Sequence, residues 1–107
     1  MRPIIQKNNY VRSKAIRQGA KGETCTWPGC NVNDGTIVAA HSNLSWHGKA
    51  GKLKAHDCFV AYLCFEHHCL YDSGNEMNYA EKEFHFMRAM SKTWLRLIEK
   101  KIISIKD

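Results

Sequence analysis

Cys64-Phe65-Glu66-His67-His68-Cys69, taken with Cys25-Thr26-Trp27-Pro28-Gly29-Cys30, holds the information from which the architecture can be built. The second segment is a C-x4-C pair whose Pro-Gly centre favours a tight turn, so both sulfurs can face one point. In the first, Cys64-x-x-His67 offers a sulfur and an imidazole where a chain reverses at a metal. Cys25, Cys30, Cys64 and His67 then make a closed set of three sulfurs and one nitrogen, which suits structural Zn2+. Cys69 is an alternative to His67, because Cys64-x4-Cys69 repeats the first spacing. Cys58 falls in the apolar run Cys58–Phe65 and reads as a small core residue. Five cysteines are an odd number, which argues against a fully paired disulfide framework. A structural ion would contribute folding free energy to a chain whose core must be thin.

Around these segments the chain divides into short elements. Thr36-Ile37-Val38-Ala39-Ala40-His41 favours a strand with a histidine at its end. Residues 42–57 form a polar loop with Gly48, Gly51, Lys49, Lys52 and Lys54. Cys58–Leu63 is a second strand, and residues 65–73 a short helix stopped by Gly74. Residues 76–103 carry helical periodicity, with Met87, Met90, Trp94, Leu97 and Ile98 on one apolar stripe. The expected fold class is therefore α+β: a small zinc-stabilised core of hairpin and helix with a long C-terminal helix.

Length and charge set the bounds. At 107 residues the chain suits one domain and is too short for a barrel enzyme or a doubly wound dinucleotide fold. Its longest apolar run is far below the roughly 20 residues that span a bilayer. Residues Met1–Gln6 carry no apolar signal core, so a cytoplasmic location and no membrane partner are expected. The first 22 residues contain Arg2, Lys7, Arg12, Lys14, Arg17 and Lys21 and no acid, which accounts for the whole net charge of +6. This predicts a basic arm over residues 1–22 on a neutral domain of residues 23–107, with nucleic acid as the partner.

The chemistry-bearing residues interleave with the zinc ligands. His41, at a strand end, can exchange a proton through one ring nitrogen while the other is oriented. Asp72 lies four residues after His68, so both project from one helical face, where they could hold a hard divalent ion. Asp57 is a further oxygen ligand or orienting group. Lys49, Lys52 and Lys54, with Arg12, Lys14 and Arg17, are the candidate phosphate contacts. His47, His56 and His85 have no assigned role.

The run from Cys25 to Asp72 resembles the HNH, or ββα-metal, endonucleases with a zinc-bound scaffold. The carrying pieces are Cys25-x4-Cys30, Ala40-His41-Ser42, Asp57 to Cys64, and Cys64-Phe65-Glu66-His67-His68. More narrowly, residues 13–103 resemble small phage- and prophage-encoded nucleases of the YbcO type, which share the size, the basic N-terminal stretch and a Trp-Leu pair like Trp94-Leu95. The resemblance implies an endonuclease with His41 as general base, His68 as ligand of a catalytic Mg2+ or other divalent ion, and Asp57 near the middle position, where Asn is usual. It also implies Zn2+ on Cys25, Cys30, Cys64 and His67, DNA as partner, and a bacterial host cytoplasm. The chain differs from the pattern at Ala40, where many members have an Asp or His metal ligand, and in the middle Asn, although Asn43 is nearby.

Overall fold

The computed structural model describes residues 9–107. Helix α1 spans Lys14–Gln18, strand β1 Val38–His41, strand β2 Val60–Leu63, helix α2 Phe65–Ser73 and helix α3 Tyr79–Glu99. The strands form a two-stranded antiparallel sheet in which Ala40 faces Ala61 and His41 faces Val60. α2 follows β2 after a single residue, Cys64, and ends at Gly74. α3 begins with a capping box in which Asn78 and Glu81 satisfy each other's backbone N–H groups.

A two-stranded sheet leaves unpaired edge groups, and burying them unsatisfied would be costly. Here Tyr62, fully buried on β2, has both backbone groups met from outside the sheet. Its N–H donates to Thr93 Oγ1 at 3.0 Å. Its carbonyl accepts from the Thr26 N–H at 2.8 Å and the Thr26 hydroxyl at 2.9 Å. The segment bearing Cys25 and helix α3 thus stand where further strands would otherwise pair.

This pairing moves the buried face of α3. The sequence stripe ran through Met87, Met90, Trp94, Leu97 and Ile98. The residues that are buried are Phe86, Ala89, Thr93 and Leu97. Thr93 must face β2 to receive its bond, and Ala89 lets the helix come close. Met87 and Met90 are pushed to the flanks, and Trp94 is 37% exposed.

The expected arm differs most. Residues 1–8 lie outside the described residues, but Tyr10, Ile16 and Ala20 are buried, the last two within the main core. α1 has Ser13 as N-cap, its hydroxyl accepting from the Ile16 N–H. The body therefore takes in residues 10–22. Basic charge marked the segment as an extension, whereas the apolar positions between those charges dock it.

Thr93→Val keeps the shape but leaves the Tyr62 N–H without a partner. The variant should lose about 1–3 kcal/mol in urea unfolding, with an unchanged denaturant slope. An unaltered midpoint would show that this bond does not hold α3 on the sheet.

Candidate functional site

Four ligand atoms converge at the junction of β2 and α2. The sulfurs of Cys25, Cys30 and Cys64 and a ring nitrogen of His67 all lie within 4.8 Å of one another. His67 Nδ1 is 3.3 Å from Cys64 Sγ and 3.7 Å from Cys25 Sγ. Tetrahedral bonds of about 2.3 Å set donors about 3.8 Å apart, so this set fits a divalent ion such as zinc. The first pair is shaped by a turn closed by the Cys30 N–H donating to the Trp27 carbonyl. Gly29 there has φ +82°, a left-handed backbone that glycine takes without strain. The Trp27 ring stacks on His67, with centroids 5.4 Å apart and planes 10° from parallel, and so fixes the imidazole. Burial pushes the Cys25 thiol up to about 12, so a thiolate there needs a cation beside it. Cys69 is exposed and outside the cluster, leaving His67 as the fourth donor.

A second constellation lies at the other end of β1. His41 Nε2 is 2.8 Å from Asp57 Oδ1. Asp57 is 1% exposed, and its other oxygen accepts from the Ser13 N–H at 2.7 Å and from Arg17 Nε at 3.0 Å. Arg12 Nη1 stands 3.5 Å from Oδ1. Burial works to raise this carboxyl, but the bonds from His41 and Ser13 and the charge of Arg12 outweigh it and hold it below its ordinary 3.8. An ionised carboxylate only accepts, so Nε2 of His41 carries the proton that it donates, and Nδ1 keeps its lone pair. Burial, the largest influence on His41, keeps the ring below its ordinary 6.5 despite Asp57. A neutral, oriented imidazole of this kind can take a proton from water near neutral pH.

Asp57 therefore stands behind His41 as an orienting group, its oxygens engaged by α1 and the strand end. The same bonds give Arg12 and Arg17 a role that charge alone did not predict. Arg12 also donates to the carbonyls of Lys54 and Ala55, both at 2.8 Å. These two guanidinium groups are tied into the fold at Asp57, although both still border a groove with Lys52 and Lys54. Lys14 is exposed on α1.

An open cleft of about 490 Å³ is lined by His41, Asn43, Lys49, Lys52, Lys54, His68 and Asp72, among others. It brings together two histidines that are 27 positions apart in the chain. His68 Nε2 lies 3.0 Å from Asp72 Oδ2, and Asn43 Nδ2 donates to Asp72 Oδ1 at 3.2 Å. Behind them the Asn43 N–H donates to the Tyr71 hydroxyl, which donates to Glu83 on α3. Asn43, Tyr71 and Glu83 hold the His68 side of the cleft and were not among the expected site residues. Only the nearness of Asn43 to His41 hinted at any of them. His47 is buried, bonded to Ser42 Oγ at 2.6 Å and stacked on Phe59 at 4.2 Å. His56 stacks on Tyr10. Among the described residues, no helix is long and apolar enough to cross a membrane.

No known protein family, curated protein or solved structure matches the chain.

The purified protein should carry one equivalent of zinc by atomic absorption. Cys64→Ala should lose it together with cooperative unfolding, and Cys69→Ser should keep it. A folded Cys64→Ala variant with a full equivalent, or a zinc-free Cys69→Ser variant, would contradict this ligand set.

Proposed function

We propose that this protein is a metal-dependent endonuclease of the HNH, or ββα-metal, type, which hydrolyses phosphodiester bonds in nucleic acid, with DNA the expected substrate. The observation that supports this best is the single cleft in which His41, backed by a buried carboxylate, shares a wall with His68, Asp72 and three lysines. The order of antiparallel hairpin and then helix, with the Cys/His cluster at the strand–helix junction, accords with that reading.

In this mechanism His41 Nδ1 takes the proton of the attacking water, while Asp57 keeps the ring oriented and stabilises the imidazolium that forms. Lys49, Lys52 and Lys54 contact backbone phosphates, which positions the strand without reading sequence. His68 and Asp72 would hold Mg2+ or another divalent ion. One carboxylate and one imidazole, both partly exposed, suit an ion that keeps several of its waters, and Asn43 orients the carboxylate. Such an ion, when bound, neutralises charge on the phosphate and on the departing oxygen.

Ala40 favours a second reading. It is buried in the core at the position where many HNH enzymes carry a further metal ligand, while its neighbours Ala39 and His41 line the cleft. A zinc-braced nucleic-acid-binding protein without chemistry, such as a phage accessory protein, would need no ligand there.

A plasmid-nicking assay with Mg2+ separates the two. His41→Ala should abolish nicking while the circular dichroism spectrum and DNA affinity stay close to the parent's. Equal nicking by parent and variant would remove His41 from the role of base. Because burial holds His41 below its ordinary 6.5, the neutral form prevails at neutral pH, and protonation removes the base as pH falls. The acid limb of the rate should therefore have its midpoint below 6.5. An acid limb centred above that value would contradict the assignment.

A further inference from the structure

The chain has three tryptophans, and they are treated differently. Trp27 is 3% exposed and stacked on His67. Trp94 donates its indole N–H to the Cys58 carbonyl at 2.8 Å. Trp46 leaves 77% of its surface in water. Exposure alone says little, since Phe65, Phe84 and Leu95 are exposed as well. What distinguishes Trp46 is its place and the rigidity beneath it.

Trp46 sits in a one-turn 3-10 helix over Ser45–His47, inside the loop that joins the two strands. It is three residues from Asn43 and three from Lys49, both of which line the cleft. That chain length reaches at most about 11 Å. The turn is fastened on its inner side. His47 is buried against Phe59 and bonded to Ser42, and its carbonyl accepts from the His56 N–H. The Tyr10 hydroxyl donates to the Gly48 carbonyl at 2.6 Å. Gly48 has φ +100°, and a Cβ there would meet His56 at 2.8 Å. In a 3-10 turn successive side chains point about 120° apart, so burying His47 turns Trp46 outward. A fastened turn thus presents an exposed aromatic face three residues from a lysine of the cleft, and aromatic faces combined with basic groups are what single-stranded nucleic acid binds through its bases and phosphates.

We propose that Trp46 is a base-stacking platform that makes the cleft prefer nucleic acid with unpaired bases. The inference rests on the nucleic-acid reading above and names the substrate class for it. A base inside a duplex has both faces covered by its neighbours, so the indole can stack only on one that is free. The lysines serve either form of nucleic acid, and Trp46 serves one.

The test measures binding of a short labelled oligothymidine and of a duplex of equal length, in buffer without added divalent ions. Trp46→Ala should weaken oligothymidine binding by about tenfold, in keeping with stacking on one base, and leave the salt dependence unchanged. Trp46→Phe should retain most of the affinity, and duplex binding should change less than threefold in both variants. Unchanged oligothymidine binding in Trp46→Ala, or an equal loss on both probes, would overturn the stacking role while the nucleic-acid reading stands. A parent protein that binds neither probe would overturn both.

Discussion

A buried carboxylate organises this small protein. Asp57 is almost wholly removed from water, which is costly for a charge unless nearly every lone pair is used. The fold meets that demand by bringing distant parts of the chain to one point: the N-cap of α1 through Ser13, a guanidinium from Arg17 on α1, and the imidazole at the end of β1. Helix α1 and its N-cap are thus fixed to the body by the group that sets the tautomer of His41. Structure and candidate chemistry share one anchor.

The Cys/His cluster acts at the opposite end of the hairpin. A metal ion held there would tie the segment of residues 25–30 to the corner where β2 becomes α2, and that segment also covers the open edge of β2 through Thr26. With α3 satisfying the same strand through Thr93, two strands suffice where a sheet of this kind would otherwise need more. The hairpin and α2 together place His41 and His68 on a common cleft.

What could be read from the sequence follows from how local each signal is. The cysteine and histidine spacings, the turn at Pro28-Gly29 and the stop at Gly74 act within a few residues, and the strands, short helix and long helix fall where those signals put them. Arg12 and Arg17 read as free basic charge because their partner lies 40 or more positions away, and no periodicity announces an ion pair across that distance. The face of α3 was displaced because a threonine, polar in any hydropathy pattern, is at its buried centre. Tyr71 and Glu83 were invisible for a similar reason: a phenol bonded between a loop N–H and a carboxylate leaves no mark in composition.

The proposed chemistry depends on the state of His41. Long-range 1H–15N spectra of the imidazole, recorded across a pH titration, report both its tautomer and its pKa. They should show the proton on Nε2, a free Nδ1 and a midpoint below 6.5. A ring protonated on Nδ1 at neutral pH, or one still charged above 6.5, would contradict the arrangement from which the proposed chemistry follows.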